Sequence, residues 1–143
     1  VSGSIRRATV HTDGGARGNP GPAAIAAVIS DGEGGVISEH AELIGKATNN
    51  VAEYRAVLLG IEQADGLGIP ELDIVCDSEL VVRQLMGQYK VKDAALRELH
   101  GQALSELESF DAWSIRHVRR EQNARADALV NEALDAAPRG ADS

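Results

Sequence analysis

The sequence predicts an α/β domain in which helices pack on the faces of one mixed β-sheet. Three observations carry this. The chain has 143 residues, 43% of them apolar and 25% charged, which suits one hydrophobic core that buries roughly 70% of the unfolded surface. Its first third is made of β-branched and small apolar runs cut by Gly, Pro, Asn and Asp, with no helical period. Beyond Asn50 the apolar spacing lengthens to that of helices, which alternate with short strands. A meander followed by βαβ units gives a mixed sheet, because each crossover lays its helix on a sheet face.

Taken in order, Arg7 to Thr12 reads as a strand that ends at Asp13, before the turn-forming Gly14, Gly15, Gly18, Asn19, Pro20, Gly21 and Pro22. Ala23 to Ser30 and Val36 to Ile44 are two more strands, joined by the glycine-rich turn from Asp31 to Gly35. Val51, Tyr54, Val57, Leu58, Ile61 and Ala64 then recur at helical spacing until Gly66 and Gly68. Leu72 to Cys76 is a short strand ending at Asp77, and Leu80, Val81, Leu85 and Met86 mark a short helix stopped by Gly87. A helix from Ala94 to Glu108 carries Leu96, Leu99, Ala103, Leu104 and Leu107 on one face. A last strand, Ala112 to Val118, precedes a helix from about Asn123 to Ala136. The domain is expected to span 5–136. Val1 to Ser4 read as a frayed end or cloning remnant, and 137–143 as a tail or the start of a linker to a fused C-terminal domain.

Composition removes several functions. The aromatic residues are Tyr54, Tyr89, Phe110 and Trp113, too few for a module that stacks successive bases on exposed rings. Cys76 is the one cysteine, so a multi-thiolate zinc site and an internal disulfide are excluded, and a cytoplasmic location is expected. No run is long and apolar enough for a membrane helix, and nothing demands a dimer, so a monomer is expected. The net charge of −8 stands against a polyanionic partner and needs an answer.

Four carboxylates fall at element ends: Asp13 after the first strand, Asp77 after the fourth, Glu53 in the first turn of the first helix and Asp127 in the first turn of the last. In sheets built from βαβ units, ligand sites gather at strand carboxyl ends and adjacent helix N-termini. Converging there, four carboxylates would repel one another unless hard cations such as Mg2+ or Mn2+ sat between them. Each also has a plainer reading. Asp13 with Gly14 makes a turn, Asp77 with Ser78 caps a helix, Asn50 with Glu53 resembles a capping box, and Asp127 favours its helix dipole.

Four stretches decide between these readings: TDGGARGNPGP from Thr12 to Pro22, ATNNVAEY from Ala47 to Tyr54, VCDS from Val75 to Ser78 and HVRREQNARAD from His117 to Asp127. In this order and spacing they resemble the type 1 ribonucleases H over Thr9 to Ala133. The resemblance implies the ribonuclease H-like fold, a five-stranded mixed sheet flanked by helices. It also implies a metal-dependent endonuclease that hydrolyses the RNA strand of RNA/DNA hybrids, leaving 3′-OH and 5′-phosphate ends. Asp13, Glu53, Asp77 and Asp127 would hold two Mg2+, with Asp13 shared and Mn2+ able to substitute.

By the same resemblance Asn19, Asn49 and Asn50 would read the 2′-hydroxyl in the minor groove, with helix capping as the plainer role of Asn49 and Asn50. Thr48 with Lys46 would form a pocket for a DNA phosphate. Glu79 stands where relatives often place a polar residue reaching the groove. His117 matches a histidine assigned to proton transfer or product release, or else it contacts phosphate or supports structure. Arg116, Arg119, Arg120 and Arg125 are expected to cluster beside the site and, with two bound cations, to answer the charge objection. The segment from Gly87 to Asp93 is too short for the basic protrusion of some relatives, which implies low intrinsic affinity. Rival readings are a same-fold nuclease for double-stranded RNA or DNA junctions, and a catalytically idle module that binds hybrids or a protein partner. The first has the asparagines against it where DNA is concerned, and the second has the complete carboxylate set against it. A nucleotide enzyme lacks any phosphate-loop or dinucleotide motif.

Overall fold

Strand order follows from where the connections are short. The computed structural model describes residues 5–137. In it β1 (Arg7–Ala16), β2 (Gly21–Ser30) and β3 (Val36–Ala47) form an antiparallel meander. Longer crossovers then return β4 (Glu71–Cys76) and β5 (Ala112–His117) to the other side of β1 as parallel strands. The sheet order is β3-β2-β1-β4-β5. The crossovers are α1 (Asn49–Gly66), and α2 (Glu79–Leu85) with α3 (Ala94–Leu107); α4 (Ala124–Ala136) follows a 3-10 turn at Arg120–Asn123. The chain leaves β1 on both sides, so a crevice opens at the carboxyl ends of β1 and β4. The ends assigned to 1–4 and 138–143 lie outside the described residues. Among the described residues no helix is long and apolar enough to cross a membrane.

Two faces of the sheet are covered differently. Side chains alternate along β2: Ala23, Ile25, Ala27 and Ile29 join the main core under α1, whereas Ala24 and Ala26 meet Val130 and Leu134 of α4 on the opposite face. Helix α1 carries small residues at every fourth position, Ala52, Ala56, Gly60 and Ala64, all buried, and this stripe lets it lie close to β1. A Cβ at Gly60 would stand 2.7 Å from Val10 Cγ1, and one at Gly14 would stand 2.2 Å from the Ala52 carbonyl oxygen.

Several expectations are corrected. Strand β1 does not end at Asp13. Pairing with β4 stops at Thr12 opposite Cys76, but pairing with β2 runs on to Ala16, so Gly14 and Gly15 are strand residues; the missing side chain of Gly14 admits α1, and Gly15 faces Val130 of α4. Strand β3 likewise runs to Ala47 by way of an irregularity opposite Ala23 and Ala24, with Gly45 at φ +78. Thr48 caps α1, its Oγ1 accepting from Val51 N–H at 3.2 Å. Neither Asn49 nor Asn50 is the cap, and Glu53 falls in the second turn. The 3-10 turn after β5 was not foreseen; it moves the start of α4 to Ala124.

Candidate active site

Asp13 lies on β1 one residue beyond the last β4 partner, on the face opposite Thr12, whose Cγ2 points to α1. It is 6% exposed. Helix α4 crosses that face and brings Asp127 to it. The turn after β4 brings Asp77, and α1 brings Glu53 past the bare backbone of Gly14, whose N–H donates to Glu53 Oε1 at 3.0 Å. The four carboxyls meet: Asp13 is within hydrogen-bonding reach of Asp77 and Asp127, and Glu53 of Asp77.

The electrostatics follow from that crowding. Burial, then the charges of Asp77 and Asp127, push the Asp13 carboxyl up to about 8. Burial, then Asp13 and Asp77, hold Glu53 well above the ordinary carboxylate range, against the opposing pull of the Gly14 N–H. Asp77 Oδ1 is buried without a hydrogen-bond partner among the described residues. A carboxylate oxygen in that position, among others that resist ionisation, fits a divalent cation, which would supply the missing partner and offset the repulsion. Cys76 Sγ also lies with ligand atoms of Glu53 and Asp77, all within 4.8 Å of one another. Burial pushes the thiol up and Glu53 adds to the effect, so a neutral soft sulfur faces the site; the hard-cation ligands are the oxygens.

Beside the carboxylates a cleft of about 340 Å3 is lined by Asp13, Glu53 and Asp127, by Gly14 to Arg17 on one wall, and by Arg120, Val130, Asn131 and Leu134 on the other. Asn19 and Asn49 clamp its rim. Asn49 Oδ1 accepts from Ala16 N–H at 2.9 Å, and Asn19 Oδ1 accepts from Asn49 N–H at 3.0 Å. Both amides thus spend their oxygens on backbone and keep their Nδ2 donors. Asn50 is exposed on the first turn of α1, and Lys46, opposite Pro22, is exposed on β3. The Thr48 hydroxyl has its acceptor role taken by the cap.

The remaining residues divide. His117 ends β5 opposite Cys76 and is exposed. It lines a separate groove of about 330 Å3 with Glu79, Arg83 and Arg116, and β4 stands between its strand and that of Asp13. Arg120 stands in the carboxylate cleft, and Arg119 is exposed just before the 3-10 turn. The expected arginine cluster does not form, because Arg125 is turned to β3, where its Nε and Nη2 bind Glu39 at 2.7 and 2.9 Å, and Arg116 faces the other groove. Sequence reading passed over Asn123, which is 1% exposed and does not cap α4; its Nδ2 donates to the Thr12 carbonyl. An asparagine ahead of a helical period reads as a cap, and only the partner at Thr12 reveals the difference.

Comparison with known proteins agrees with this geometry. The family described as reverse transcriptase-like matches residues 11–133. Ribonuclease HI of Halobacterium salinarum is 47% identical over 129 residues, covering 90% of this chain and 65% of that protein. The crystal structure of ribonuclease H1 from that archaeon superimposes with a TM-score of 0.90 at 46% identity, covering 92% of this chain and 99% of the other. A bifunctional protein of Mycobacterium tuberculosis is 42% identical over 94% of this chain, which spans 37% of its length. LC11 ribonuclease H1, solved in complex with an RNA/DNA hybrid, superimposes with a TM-score of 0.86 at 44% identity, covering 90% of this chain and 96% of that one. The chain belongs to the ribonuclease H family and carries that family's enzyme fold.

Proposed function

We propose that this chain hydrolyses the RNA strand of RNA/DNA hybrids, with Asp13, Glu53, Asp77 and Asp127 holding two divalent cations, Asp13 shared between them. Mg2+ is the natural ion in this reading, and Mn2+ substitutes. The chemistry that such cations supply is a lowered pKa for an attacking water and neutralisation of the charge at the scissile phosphate and departing 3′ oxygen. An external water as nucleophile leaves 3′-OH and 5′-phosphate ends. The observation that carries the proposal is the meeting of four carboxyls from four separate segments, where burial and then the charges of Asp77 and Asp127 push the Asp13 carboxyl up to about 8.

The protein's own groups supply the rest. The Gly14 N–H fixes one oxygen of Glu53, leaving the other for a ligand. Asn19 and Asn49 present Nδ2 donors at the rim, and Asn50 adds a free amide. In a shallow minor groove those groups meet 2′-hydroxyls and base-edge acceptors, and the hydroxyl is what distinguishes RNA from DNA. Thr48 and Lys46 would hold a phosphate of the DNA strand, while Arg119 and Arg120 would hold phosphates near the carboxylates. For His117 the exposed position beside Asp77 favours proton exchange with solvent or contact with the departing strand over direct contact with the reacting phosphorus.

The hybrid-bound relative supports the substrate assignment. The mycobacterial relative, of which this chain spans 37%, supports reading 5–136 as one catalytic unit. Matched labelled RNA/DNA, RNA/RNA and DNA/DNA duplexes, incubated with Mg2+, Mn2+ or chelator, test the proposal. Cleavage is expected in the RNA strand of the hybrid alone and should vanish in chelator. Cyclic phosphate termini, or equal cutting of all three duplexes, would overturn it.

A further inference from the structure

Arg17 opens the loop between β1 and β2, on the wall of the carboxylate cleft opposite α4. Its Nη2 reaches across to Asp135 Oδ1 of α4 at 2.7 Å, and both side chains remain open to water, 48% and 69% exposed. Nothing in the fold explains this pair as a stabilising device. Exposed ion pairs contribute little in water, and Asp135 stands in the last turn of α4, where a negative charge opposes the helix dipole. Arg125 makes the contrast: its guanidinium has two short bonds to Glu39, a further contact with Glu132 at 3.4 Å, and lies outside the cleft. Arg17 instead borders the same space as Asp13, Glu53, Asp127 and Arg120. A strand laid over the carboxylates carries a charge every 3.4 Å of rise, so phosphates beside the reacting one fall near the cleft walls. A guanidinium there suits phosphate oxygens as well as it suits a carboxylate.

We propose that Arg17, facing Arg120 across the cleft, forms a subsite for a backbone phosphate of the strand that crosses the carboxylates, and that Asp135 is its exchangeable counter-ion. In the free protein Asp135 neutralises Arg17 and holds its side chain over the cleft. On binding, a phosphate takes the guanidinium and releases Asp135 to water. This rests on the reading of the cleft as the place where a nucleic-acid strand is cut. It adds a contact outside the carboxylate and asparagine sets, together with an acidic residue that works against affinity.

A double-mutant cycle tests it. Binding of a labelled RNA/DNA hybrid is measured by fluorescence anisotropy against salt, with Mg2+, in an Asp77→Asn background so that the strand is not consumed. The four proteins are that background alone and with Arg17→Ala, Asp135→Asn or both. Arg17→Ala is expected to raise Kd about fivefold and to reduce the slope of log Kd against log salt by about one phosphate contact. Asp135→Asn is expected to lower Kd about threefold at low salt, and to have no effect once Arg17 is alanine. Two results overturn the proposal: an unchanged Kd and slope in Arg17→Ala, or an Asp135→Asn gain that persists without Arg17, which would reduce Asp135 to general repulsion. Cleavage by the unsubstituted chain is scored separately. Its failure would remove the nuclease reading, whereas a flat cycle with intact cleavage would remove only the subsite.

Discussion

Asn123 Nδ2 donates to the main-chain carbonyl of Thr12 at 2.8 Å across 111 residues of sequence. Thr12 is the last residue of β1 that pairs with β4, so the asparagine secures a buried carbonyl at the point where that ladder ends. The bond also ties the residue before Asp13 to the residue before α4, the helix that carries Asp127. Asn123→Ala is expected to cost about 1–3 kcal/mol, the penalty for a buried unsatisfied group. Misplacing two carboxylates by a fraction of an ångström should lower hybrid turnover about tenfold or more. Thermal melts and kcat measured together check this. Lost stability with unchanged kcat would confine Asn123 to the fold.

Gly14 is where the sheet admits the helix. The added methyl of Gly14→Ala would stand 2.2 Å from the Ala52 carbonyl oxygen and 2.8 Å from the Glu53 nitrogen, both backbone atoms that no rotamer change can move. Helix α1 must retreat, taking Glu53 from its Gly14 N–H. A loss of about 3 kcal/mol or more is expected, at the upper end for overpacking, and it should appear as a lower urea midpoint. Gly15→Ala is the control: its methyl meets only Val130 Cγ1 at 3.8 Å, an ordinary contact, so its midpoint should shift little.

Most of the topology was legible because hydrophobic period and turn residues report it directly. The meander, the apolar period of α1 and the apolar face of α3 each leave a one-dimensional signal. The carboxylate set was legible by a different route, the resemblance of four separated motifs, since spacing alone left a capping or turn reading for every member. What stayed hidden was pairwise and long-range. Gly14 looked like a turn residue because a glycine that leaves room for a neighbouring helix and one needed for a bend are the same letter. Arg125 looked like part of a basic cluster, since nothing in its segment announces Glu39 on β3, 86 residues away. Thr48 is the cap because α1 already begins at Asn49, which puts Asn49 and Asn50 inside the first turn, and the Asn49 side chain reaches back to the Ala16 N–H instead.

The arginines therefore separate by partner. Arg125→Ala is expected to leave hybrid affinity within about twofold and to cost at most about 1 kcal/mol of stability, since its bonds to Glu39 and Glu132 are exposed. Arg120→Ala, which empties one wall of the carboxylate cleft, should weaken binding about fivefold and flatten its salt dependence. Titrations at several salt concentrations distinguish the two. Equal losses would restore the cluster that the structure divides.

Stability without metal should depend on pH in the sense opposite to that of a salt-bridged carboxylate. Asp13 is raised from an ordinary value near 4 to about 8, by burial first and then by Asp77 and Asp127, and Glu53 is raised as well. The folded state therefore binds more protons than the unfolded chain between those limits. The sign is set by linkage: where the native state holds the extra protons, unfolding free energy falls as pH rises. The contribution of these groups is fully present below about pH 4 and is lost progressively up to about pH 8. In chelator the melting temperature is expected to fall across that window. Asp13→Asn should flatten the fall and raise the melting temperature at pH 8 by about 3–5 °C for each kcal/mol of repulsion relieved. Mg2+ binds the deprotonated set, so its stabilisation should grow with pH, reaching about 2.7 kcal/mol at a hundredfold excess over its dissociation constant. Calorimetry from pH 5 to 8 with and without Mg2+ reads all three effects. A melting temperature that climbs with pH in chelator would mean that the four carboxyls do not repel one another as the geometry requires.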